Sequence, residues 1–311
     1  MERRQDWRLP ERLRGATFAL GNFDGVHLGH AHVLRAAHGA LPGAARAVLT
    51  FEPHPRELFR PDDAPFRLQT ADERADALAA LGADLLVELP FDPAFAALSA
   101  EAFARDVLHA GLGAAHLACG PDFAFGHRRG GDVAYLARRA EALGMGLTVV
   151  PPLADAQGPI SSTRIRRLLQ DGYPERAAAE LGRPWSVRGT VQHGDERGRL
   201  LGFPTANIPL GRHLEPARGV YAVTVRLPGG GAVPGVANVG RRPTVGEGLE
   251  SRIEAHLFDW SGDLYGQEVE VAFHAFLRPE RKFADFAALA RQIAEDASAA
   301  RAALDPAAPA P

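Results

Sequence analysis

The sequence predicts two domains of different fold class: an α/β domain with a doubly wound parallel sheet, then a small antiparallel β-barrel with a C-terminal helix. Short apolar runs alternate with helical patterns over residues 16–182, which is typical of parallel βαβ units. After Gly182 the runs alternate apolar and polar residues between glycine-rich turns, which is typical of antiparallel barrels. The length of 311 residues also fits about two domains. We therefore expect domains at 1–183 and 184–311, with the boundary near 183–186.

The expected elements follow from these patterns in chain order. In the first domain, strands are expected at 16–20, 46–51, 84–89, 115–119 and 147–150, and helices near 28–41, 70–82, 99–110 and 132–144. In the second, strands are expected at 185–191, 220–227, 232–238, 252–258 and 268–276, and a final helix at about 283–303. Asp132 is the expected N-cap of the fourth helix, because its short side chain accepts hydrogen bonds from the first backbone amides. Ligands of a doubly wound sheet bind beyond the carboxyl ends of its strands.

Composition excludes several ways of handling a nucleotide. Lys282 is the only lysine among 35 basic residues, so the chain lacks the lysine of a P-loop and the strand lysine of a protein kinase. Schiff-base catalysis is excluded unless Lys282 itself is the nucleophile. The single cysteine, Cys119, permits neither an intramolecular disulfide nor a cysteine-based zinc site.

Charge and hydropathy give expectations about location and partners. The formal net charge is −3, which does not indicate a general nucleic-acid binder. The first residues carry no apolar segment typical of a signal peptide, and no run approaches the ~20 apolar residues of a membrane span. We therefore expect a cytoplasmic protein that uses neither nucleic acid nor a membrane. Nothing in the sequence implies an obligatory protein partner.

The first candidate site is the block GNFDGVHLGH at residues 21–30, directly after the first strand. Gly21 and Gly25 allow a sharp turn and a close approach of the backbone to a ligand. A helix is expected to begin at about residue 28, and the N-terminal end of a helix attracts anions. His27 and His30, separated by Gly29, share a helix face and can donate to the oxygens of a triphosphate. Two histidines can also bind a metal, but zinc-binding helices usually space them by four with an acidic neighbour.

Two further blocks follow the second and fourth strands, at the edge where a doubly wound sheet has its site. After the second strand, Phe51, His54 and Pro55 can stack on a planar ring. After the fourth, the segment GPDFAFG brings Asp122 and Phe125 to the same edge. An aromatic residue beside a strand is often part of the core, and that alternative stays open for Phe51 and Phe125.

A third block, after the fifth strand, combines hydroxyl groups with positive charge. Ser162 and Thr163 stand where a helix is expected to start, and they offer hydroxyl and backbone donors. Arg164 and Arg166 offer charge for phosphate. Serine and threonine alone here would be an ordinary helix cap, but the two arginines and the upstream histidine block favour phosphate contact.

The second domain has its own candidate phosphate site, in the segment GTVQHGDERGRLLGFPTAN at residues 189–207. A glycine-rich segment with exposed amides can cradle phosphates. The residues expected to contact phosphate are Gly194, Arg199, Gly202 and Pro204. Thr205 and Asn207 offer the oxygen ligands that Mg²⁺ prefers.

A carboxylate on a later strand is the candidate catalytic group of this domain. In the run from 251 to 259, Ile253 and Ala255 face one way and Glu254 and His256 face the other. A carboxylate on a barrel strand is costly to bury unless it is used or paired. Glu254 can act as a general base that takes the proton of a primary alcohol during attack on the γ-phosphorus of ATP. The alternative for Glu254 alone is a solvated strand residue.

These blocks together resemble a known family. The block GNFDGVHLGH resembles the HxGH nucleotidyltransferase signature, in the form used by prokaryotic bifunctional riboflavin kinase/FAD synthetases. The blocks TFEPHP at 50–55, GPDFAFG at 120–126 and ISSTRIR at 160–166 agree with that family in order. So do residues 189–207, the segment NVGRRPT at 238–244, the strand with Glu254, and DLYG at 263–266. The resemblance covers about residues 15–300.

The resemblance implies a role for each matching residue. It implies that Glu254 is the catalytic base for the ribityl 5′-hydroxyl, and that His27 and His30 are catalytic in adenylyl transfer. The ATP and phosphate contacts that it implies in the first domain are Gly21, Phe23, Asp24, Gly25, Gly29, Asp122, Ser162, Thr163, Arg164 and Arg166. Flavin contacts are implied for Phe51, His54, Pro55, Phe125 and Arg278, the last together with the C-terminal helix.

The resemblance also implies two reactions, both with ATP as co-substrate and with Mg²⁺. Riboflavin is phosphorylated to FMN in the second domain, and FMN is adenylylated to FAD with release of pyrophosphate in the first. Three alternatives remain at this point. One is an enzyme with a single active half; another is a flavin-sensing regulator that binds without turnover. The third is a different HxGH adenylyltransferase, which would lack the second set of motifs.

Overall fold

The computed structural model describes residues 1–193, 203–243 and 249–305, and the chain forms two compact units. The first unit comprises Met1–Asp63 and Ala71–Ser161. The second comprises Ala64–Thr70 and Ser162–Pro311. Within the described ranges, no helix is both long enough and apolar enough to cross a membrane.

The first unit is built on a parallel sheet of six strands in the order β1-β4-β3-β2-β5-β6. The strands are β1 (Glu2–Arg4), β2 (Thr17–Leu20), β3 (Arg46–Glu52), β4 (Leu85–Pro90), β5 (His116–Cys119) and β6 (Gly146–Val149). The five predicted strands are confirmed with small shifts at their ends. Strand β1 was not predicted, because its three residues are charged and carry no apolar pattern; it pairs with β4 at the edge of the sheet.

Helices cover both faces of this sheet. They are α1 (Leu28–Ala40), α2 (Pro55–Phe59), α3 (Ala71–Ala80), α4 (Pro93–Ala96), α5 (Ala100–Ala102), a π-helix (Phe103–Gly111) and α6 (Val133–Ala142). Phe18 and Ala19 are neighbours on β2 but belong to two different buried clusters, because alternate strand residues point to opposite faces. Leu34 of α1 packs in one cluster and Leu136 of α6 in the other. Burial of both faces confirms the doubly wound class.

The strand order places a ligand crevice between β2 and β5. Strands β3 and β4 follow on one side of β2, and strands β5 and β6 follow on the other. The order therefore reverses at the β2–β5 pair, and the crevice beyond the carboxyl ends of such a pair is where doubly wound sheets bind ligands. The blocks at 21–30 and 120–126 follow these two strands directly. Past the sheet, a short hairpin joins β7 (Ala154–Asp155) and β8 (Gly158–Pro159).

The second unit contains an antiparallel six-stranded barrel, which confirms the second predicted class. Its strands are β9 (Trp185–Thr190), β10 (Ala206–Pro209), β11 (Gly219–Arg226), β12 (Ala232–Pro243), β13 (Leu249–Leu257) and β14 (Glu268–Pro279). Their order is β10-β13-β12-β11-β14-β9. The backbone N–H of Gln192 donates to the carbonyl oxygen of Asn207 at 2.8 Å, and this bridge links the two ends of the sheet. Strand β10, which is four residues long, was not predicted.

In the part of the second unit that the structure describes, the helices are α7 (Ser162–Gln170), α8 (Pro174–Leu181) and α9 (Phe286–Leu304). Ile165 and Leu169 of α7 are buried in the barrel core together with Trp185. Leu68, from the segment Ala64–Thr70, is buried in the same core, and its carbonyl oxygen accepts a hydrogen bond from the Trp185 indole at 2.9 Å. The compact units therefore divide after Ser161, ahead of the position near 183–186 at which we expect the two activities to divide.

Candidate active sites

The loop after β2 has a strained backbone that the sequence could only partly indicate. Gly25 has a φ of +89°, which requires glycine, but Phe23 and Val26 also have positive φ, 52° and 42°. Such conformations cost on the order of 1–3 kcal/mol for residues with a side chain and are concentrated at functional loops. Phe23 and Asp24, both predicted to contact phosphate, are buried, and the Phe23 ring lies 5.0 Å from the ring of His30. Phe23 therefore packs against His30 and helps to hold its ring in place.

His27 and His30 cap the first turn of α1 reciprocally. Nδ1 of His27 accepts a hydrogen bond from the backbone N–H of His30 at 3.2 Å, and Nδ1 of His30 accepts one from the N–H of His27 at 3.3 Å. The two rings stack, with centroids 3.6 Å apart and planes 16° from parallel. Because each Nδ1 is an acceptor, each neutral ring carries its proton on Nε2. Two Nε2–H donors thus lie side by side at a helix N-terminus, where partial positive charge favours an anion.

Gly29 makes this stacking possible. A Cβ atom added at Gly29 would lie 3.0 Å from Cε1 and Nδ1 of His27 and 3.3 Å from the carbonyl oxygen of Ile160. Glycine is needed here because of close approach on two sides, since its φ is not among the positive values. Ile160 belongs to the first unit and precedes the segment with Ser162 and Thr163 in the sequence.

Aromatic rings connect the ends of β3 and β5. The half-buried Phe51 contacts Phe91 and Phe95, with ring centroids 5.5 and 5.7 Å away. Phe95 contacts Phe103, and Phe103 contacts Phe125 at 5.2 Å. Phe125 is buried, so its first role is in the core, while Phe51 is partly open. Contact of either ring with a flavin stays a prediction.

One exposed phenylalanine was missed by sequence reasoning. Phe59, at the end of α2, is 66% exposed and packs edge-on against Phe91 with centroids 5.8 Å apart. A large apolar side chain left in water beside a half-open aromatic cluster is a candidate surface for a planar ligand. The available signal was its position one helical turn after Pro55, just beyond the block at 50–55.

His54 and Pro55 start the short helix α2. Nδ1 of His54 accepts a hydrogen bond from the backbone N–H of Arg56 at 3.1 Å, and Glu57 accepts one from the N–H of His54 at 2.9 Å. Pro55 follows in the first turn, where its missing N–H costs nothing. His54 is therefore oriented by the helix that it caps. Its contact with a flavin stays a prediction.

Asp122 follows β5 and is exposed. Burial, and then the negative charge of Asp122, raise the pKa of the Cys119 thiol to about 11. Cys119 is thus a neutral, buried thiol at physiological pH, which excludes it as a nucleophile. Asp122 remains a predicted nucleotide contact at the carboxyl end of β5.

The predicted phosphate segment with Ser162 and Thr163 begins α7, in the second unit. Nε of Arg164 donates to the buried carboxylate of Glu180 at 2.5 Å. Nε of Arg166 donates to the carbonyl oxygen of Phe66 at 2.8 Å, and its guanidinium lies 5.2 Å from the Phe66 ring. Both arginines therefore help to hold α7 in place. Their contact with phosphate stays a prediction.

The second unit brings three polar residues into one row across neighbouring strands. Asn207 on β10 and Asn238 on β12 are both in register with Glu254 on β13. Directly opposed residues share a sheet face, with Cβ atoms about 4.5–5.5 Å apart. This is the outer face, because Ile253 and Ala255 point into the barrel core.

Asn207 is the strongest candidate for a metal ligand in the second unit. Its side chain is 4% exposed, and its Oδ1 accepts no hydrogen bond from the part of the chain that the structure describes. Its Nδ2 donates to the carbonyl oxygen of Thr205 at 3.4 Å, so the amide oxygen is turned away from that segment. A buried oxygen that meets no donor among the described residues is costly unless another group satisfies it. A hard cation is suited to that position.

His256 links Pro204 to the same face. Nδ1 of His256 lies 2.9 Å from the carbonyl oxygen of Pro204 and donates to it in the matching tautomer, and the ring is edge-on to Phe203. Since His256 is two residues from Glu254 on one strand, Pro204 and Thr205 are held beside the row. Sequence reasoning placed His256 on this face without giving it a role. The predicted contacts Gly194, Arg199 and Gly202 lie outside the described residues.

Comparison with known proteins agrees with this division of sites. The FAD synthetase family model matches residues 9–164, and the riboflavin kinase family model matches residues 181–304. A bifunctional riboflavin kinase/FMN adenylyltransferase of Escherichia coli (strain K12) is 42% identical over 289 residues, which are 92% of each chain. The chain belongs to the bifunctional riboflavin kinase/FMN adenylyltransferase family. Relatives of the same name from Pseudomonas fluorescens (41% identity, 95% of each chain) and Bacillus subtilis (36% identity, 93% of this chain and 92% of the relative) agree.

A solved structure covers nearly the whole chain of this family member. It is a crystal structure named as a macrolide-efflux protein from Streptococcus pneumoniae, with a TM-score of 0.86 and 31% identity. The match covers 96% of this chain and 98% of that one. The likeness therefore extends through both units.

Arg278, a predicted flavin contact, forms a two-point ion pair in this member of the family. Its Nε and Nη2 donate to the carboxylate of Asp296 on α9 at 2.8 and 2.6 Å, and Gln292 donates to the same carboxylate. Asp296 is buried, so the pair ties α9 to β14. Arg278 is in register with Val220, which is in register with Asn238. The guanidinium thus fixes the helix beside the polar row, and its contact with a flavin stays a prediction.

Proposed function

We propose that this chain makes both flavin cofactors: its second unit phosphorylates riboflavin with ATP to give FMN, and its first unit adenylylates FMN with a second ATP to give FAD. The substrates are riboflavin, FMN and ATP. The observation that carries the proposal is the presence, one in each unit, of two chemically different groups of polar side chains. One is the pair of histidines that caps α1. The other is the row of Asn207, Glu254 and Asn238.

Adenylyl transfer in the first unit needs no base. A phosphate oxygen of FMN attacks the α-phosphorus of ATP, the bond to the β-phosphate oxygen breaks, and pyrophosphate leaves. The nucleophile is already an anion, so the protein positions the groups and stabilises charge. The Nε2–H groups of His27 and His30 and the amides of the first turn of α1 are the donors for that charge. Further contacts to the nucleotide are proposed for Ser162, Thr163, Arg164, Arg166 and Asp122.

Phosphorylation in the second unit does need a base. The 5′-hydroxyl of riboflavin attacks the γ-phosphorus of ATP, its proton passes to the Glu254 carboxylate, and ADP leaves. Glu254 is half-buried on the outer face of the barrel, at the edge of the patch that α9 covers.

The proposed flavin contacts in the first unit are Phe51, His54, Pro55 and Phe125. The proposed flavin contact in the second unit is Arg278.

Magnesium is the divalent cation proposed for both reactions. In the second unit, Asn207 Oδ1 and the Thr205 hydroxyl would hold it, and the unsatisfied Asn207 oxygen supports that fit. Bound there, Mg²⁺ would offset the negative charge of the ATP phosphates. Asn207 also orients its amide through the Thr205 carbonyl oxygen, so the two proposed ligands are held together.

The chain is proposed to act in the cytoplasm, without nucleic acid, a membrane or an obligatory protein partner. Incubation with riboflavin, ATP and Mg²⁺, followed by chromatography of the flavins, tests the function directly. FMN should appear first and FAD later. FMN without FAD would remove the adenylyltransferase proposal, while binding of riboflavin without any product would favour a flavin-sensing regulator.

A further inference from the structure

A buried cluster of charged side chains lies beside the end of β3, and the reaction described so far does not use it. Its central residue is Arg74 of α3, whose side chain is 1% exposed. Nη2 of Arg74 donates to Oε2 of Glu52 at 2.9 Å and to Oε1 of Glu88 at 2.8 Å. Glu88 is also buried, and its other carboxylate oxygen accepts hydrogen bonds from Nε and Nη2 of Arg3 at 3.1 and 2.7 Å. Arg74 therefore joins a buried carboxylate on β4 to a carboxylate at the end of β3.

The contacts of Arg74 are not those that stability alone would favour. Its Nε and Nη1 are buried and meet no hydrogen-bond acceptor among the described residues. A buried N–H group without an acceptor is costly, and a buried ion pair is often no more stabilising than apolar side chains of similar volume. Leu78, one helical turn further along α3, shows that alternative, because it packs in the apolar cluster between helix and sheet. A role in holding Glu52 accounts for a charged residue at position 74.

Glu52 is the last residue of β3 and stands among three of the proposed flavin contacts. Phe51 precedes it, and His54 and Pro55 follow after one intervening residue. The Glu52 side chain is 29% exposed, and its backbone carbonyl oxygen accepts a hydrogen bond from the N–H of Phe91 at 3.0 Å. Side chain and backbone of Glu52 are thus both held at the point where the chain leaves the sheet and enters α2.

The same face of β3 also contacts the loop that carries the two histidines. Thr50 and Glu52 are two residues apart on the strand, so their side chains point to one face. The buried Thr50 hydroxyl donates to the carbonyl oxygen of Asn22 at 3.0 Å, within the block at 21–30. Thr50 is also in register with Glu88 on β4. This strand face therefore contacts the proposed phosphate loop at one residue and leads into the proposed flavin contacts two residues later.

We propose that Arg74 is a positioning residue for the binding of FMN, and that it acts through Glu52. Arg74 is itself too deeply buried to touch a ligand. Its pairing with Glu88 holds the guanidinium, and the guanidinium in turn holds the Glu52 carboxylate and the start of the segment 53–55. The flavin ring is then held at a set distance from the phosphate loop, where the FMN phosphate is proposed to attack ATP. The inference rests on the proposed flavin contacts of the first unit.

The first test replaces Arg74 and follows the binding of FMN. Arg74→Met should raise the KM for FMN about 10-fold, because the flavin contacts are displaced. The KM for ATP, and kcat at saturating FMN, should change less than about two-fold, since the phosphate loop keeps its own contact with Thr50. Arg74→Lys should recover most of the loss: both hydrogen bonds come from one nitrogen, and an ammonium group can replace it. The dissociation constant of FMN, measured from flavin fluorescence without ATP, should follow the KM.

The matched control changes an ion pair at the opposite end of the same strand. Nε and Nη2 of Arg46, the first residue of β3, donate to Asp84 at 2.9 and 2.8 Å. Arg46→Met should leave the KM for FMN unchanged. A purely structural role of Arg74 would lower the temperature of unfolding and leave the KM for FMN at the wild-type value, as in the control. That result would overturn the proposal.

The second test examines the route through Glu52 with a variant in which Arg74 keeps its buried partner Glu88, so that the first unit still folds. Glu52→Ala should raise the KM for FMN as Arg74→Met does. The double variant should be no worse than either single variant, because both changes break one connection. A wild-type KM for Glu52→Ala, or effects that multiply in the double variant, would overturn the proposal.

The wild-type chain separates this inference from the proposed function on which it rests. If it forms no FAD from supplied FMN and ATP, the proposed adenylyltransferase activity is removed. If it forms FAD, and the variants at Arg74 and Glu52 do so with an unaltered KM for FMN, only the positioning role is removed. Conversion of riboflavin to FMN by each sample shows that the second unit is intact.

Discussion

The two units handle the same phosphates with different means. In the first, the proposed groups are backbone amides and two imidazoles at a helix N-terminus, in a loop with positive φ at Phe23 and Val26. In the second, the proposed group is a carboxylate that lies between two amides across three antiparallel strands. The difference follows from the nucleophile: a phosphate oxygen is already ionised, whereas an alcohol must lose a proton. Adenylyl transfer therefore needs only hydrogen-bond donors, and phosphorylation of riboflavin needs a base as well.

The largest expected effect comes from changing the proposed base, Glu254, and it should affect only one of the two activities. Glu254→Gln keeps the size of the side chain but cannot accept the hydroxyl proton, so we expect FMN formation to fall by on the order of 10²–10⁴. Conversion of supplied FMN to FAD should be unchanged, because the first unit uses no base. Rates of both steps, measured on one preparation by flavin chromatography, provide the comparison. A parallel loss of both activities would contradict the assignment of separate chemistries.

The second effect tests whether the histidines act as donors or only as caps. Asparagine is a good N-cap, so His27→Asn should preserve the start of α1 but remove the Nε2–H donor. We expect FAD formation to fall by on the order of 10²–10³, with little change in the temperature of unfolding. His27→Ala should lose the same activity and, in addition, about 1 kcal/mol of stability. Normal adenylylation by the asparagine variant would show that capping is the only role of His27.

The third effect concerns metal binding in the second unit. Asn207→Ala removes the unsatisfied Oδ1, and we expect the Mg²⁺ concentration for half-maximal phosphorylation to rise by at least about 10-fold. Stability should change little, since that oxygen has no hydrogen bond to lose among the described residues. The Mg²⁺ dependence of FAD formation is the control within the same chain. An unaltered Mg²⁺ dependence of phosphorylation would exclude Asn207 as a ligand.

The first unit was more predictable than the second, for a physical reason. Parallel strands buried on both faces are continuous apolar runs, and five of the six were located from the sequence. The block at 21–30 is contiguous, so its geometry depends on neighbouring residues. The reciprocal capping by His27 and His30 was still invisible, because histidine is not a usual cap and the pattern depends on ring rotamers.

The row in the second unit depends on strand register, which the sequence does not contain. Asn207, Glu254 and Asn238 are far apart in the chain and meet only because β13 pairs with both β10 and β12 in one register. The motif resemblance named Asn207 and Glu254 but gave no role to Asn238. The segment Ala64–Thr70 was also unpredictable as part of the second unit: its residues 66–69 are buried, but of these only Leu68 belongs to the barrel core.

The smallest expected effect tests how closely the histidine pair is packed. Gly29→Ala adds up to about 1 kcal/mol of helix propensity to α1, but its Cβ would press on the His27 ring and on Ile160 O, so we expect no net gain in stability. We expect FAD formation to fall about 10-fold, since a shift of a few tenths of an ångström misaligns both donors. Gly39→Ala, near the other end of α1 with open space around it, should give the stability without the loss of activity. If Gly29→Ala gains stability and keeps full adenylylation activity, close packing of the two histidine rings is not required for adenylyl transfer. The phosphate site of the first unit would then tolerate displaced side chains better than the row of Asn207, Glu254 and Asn238.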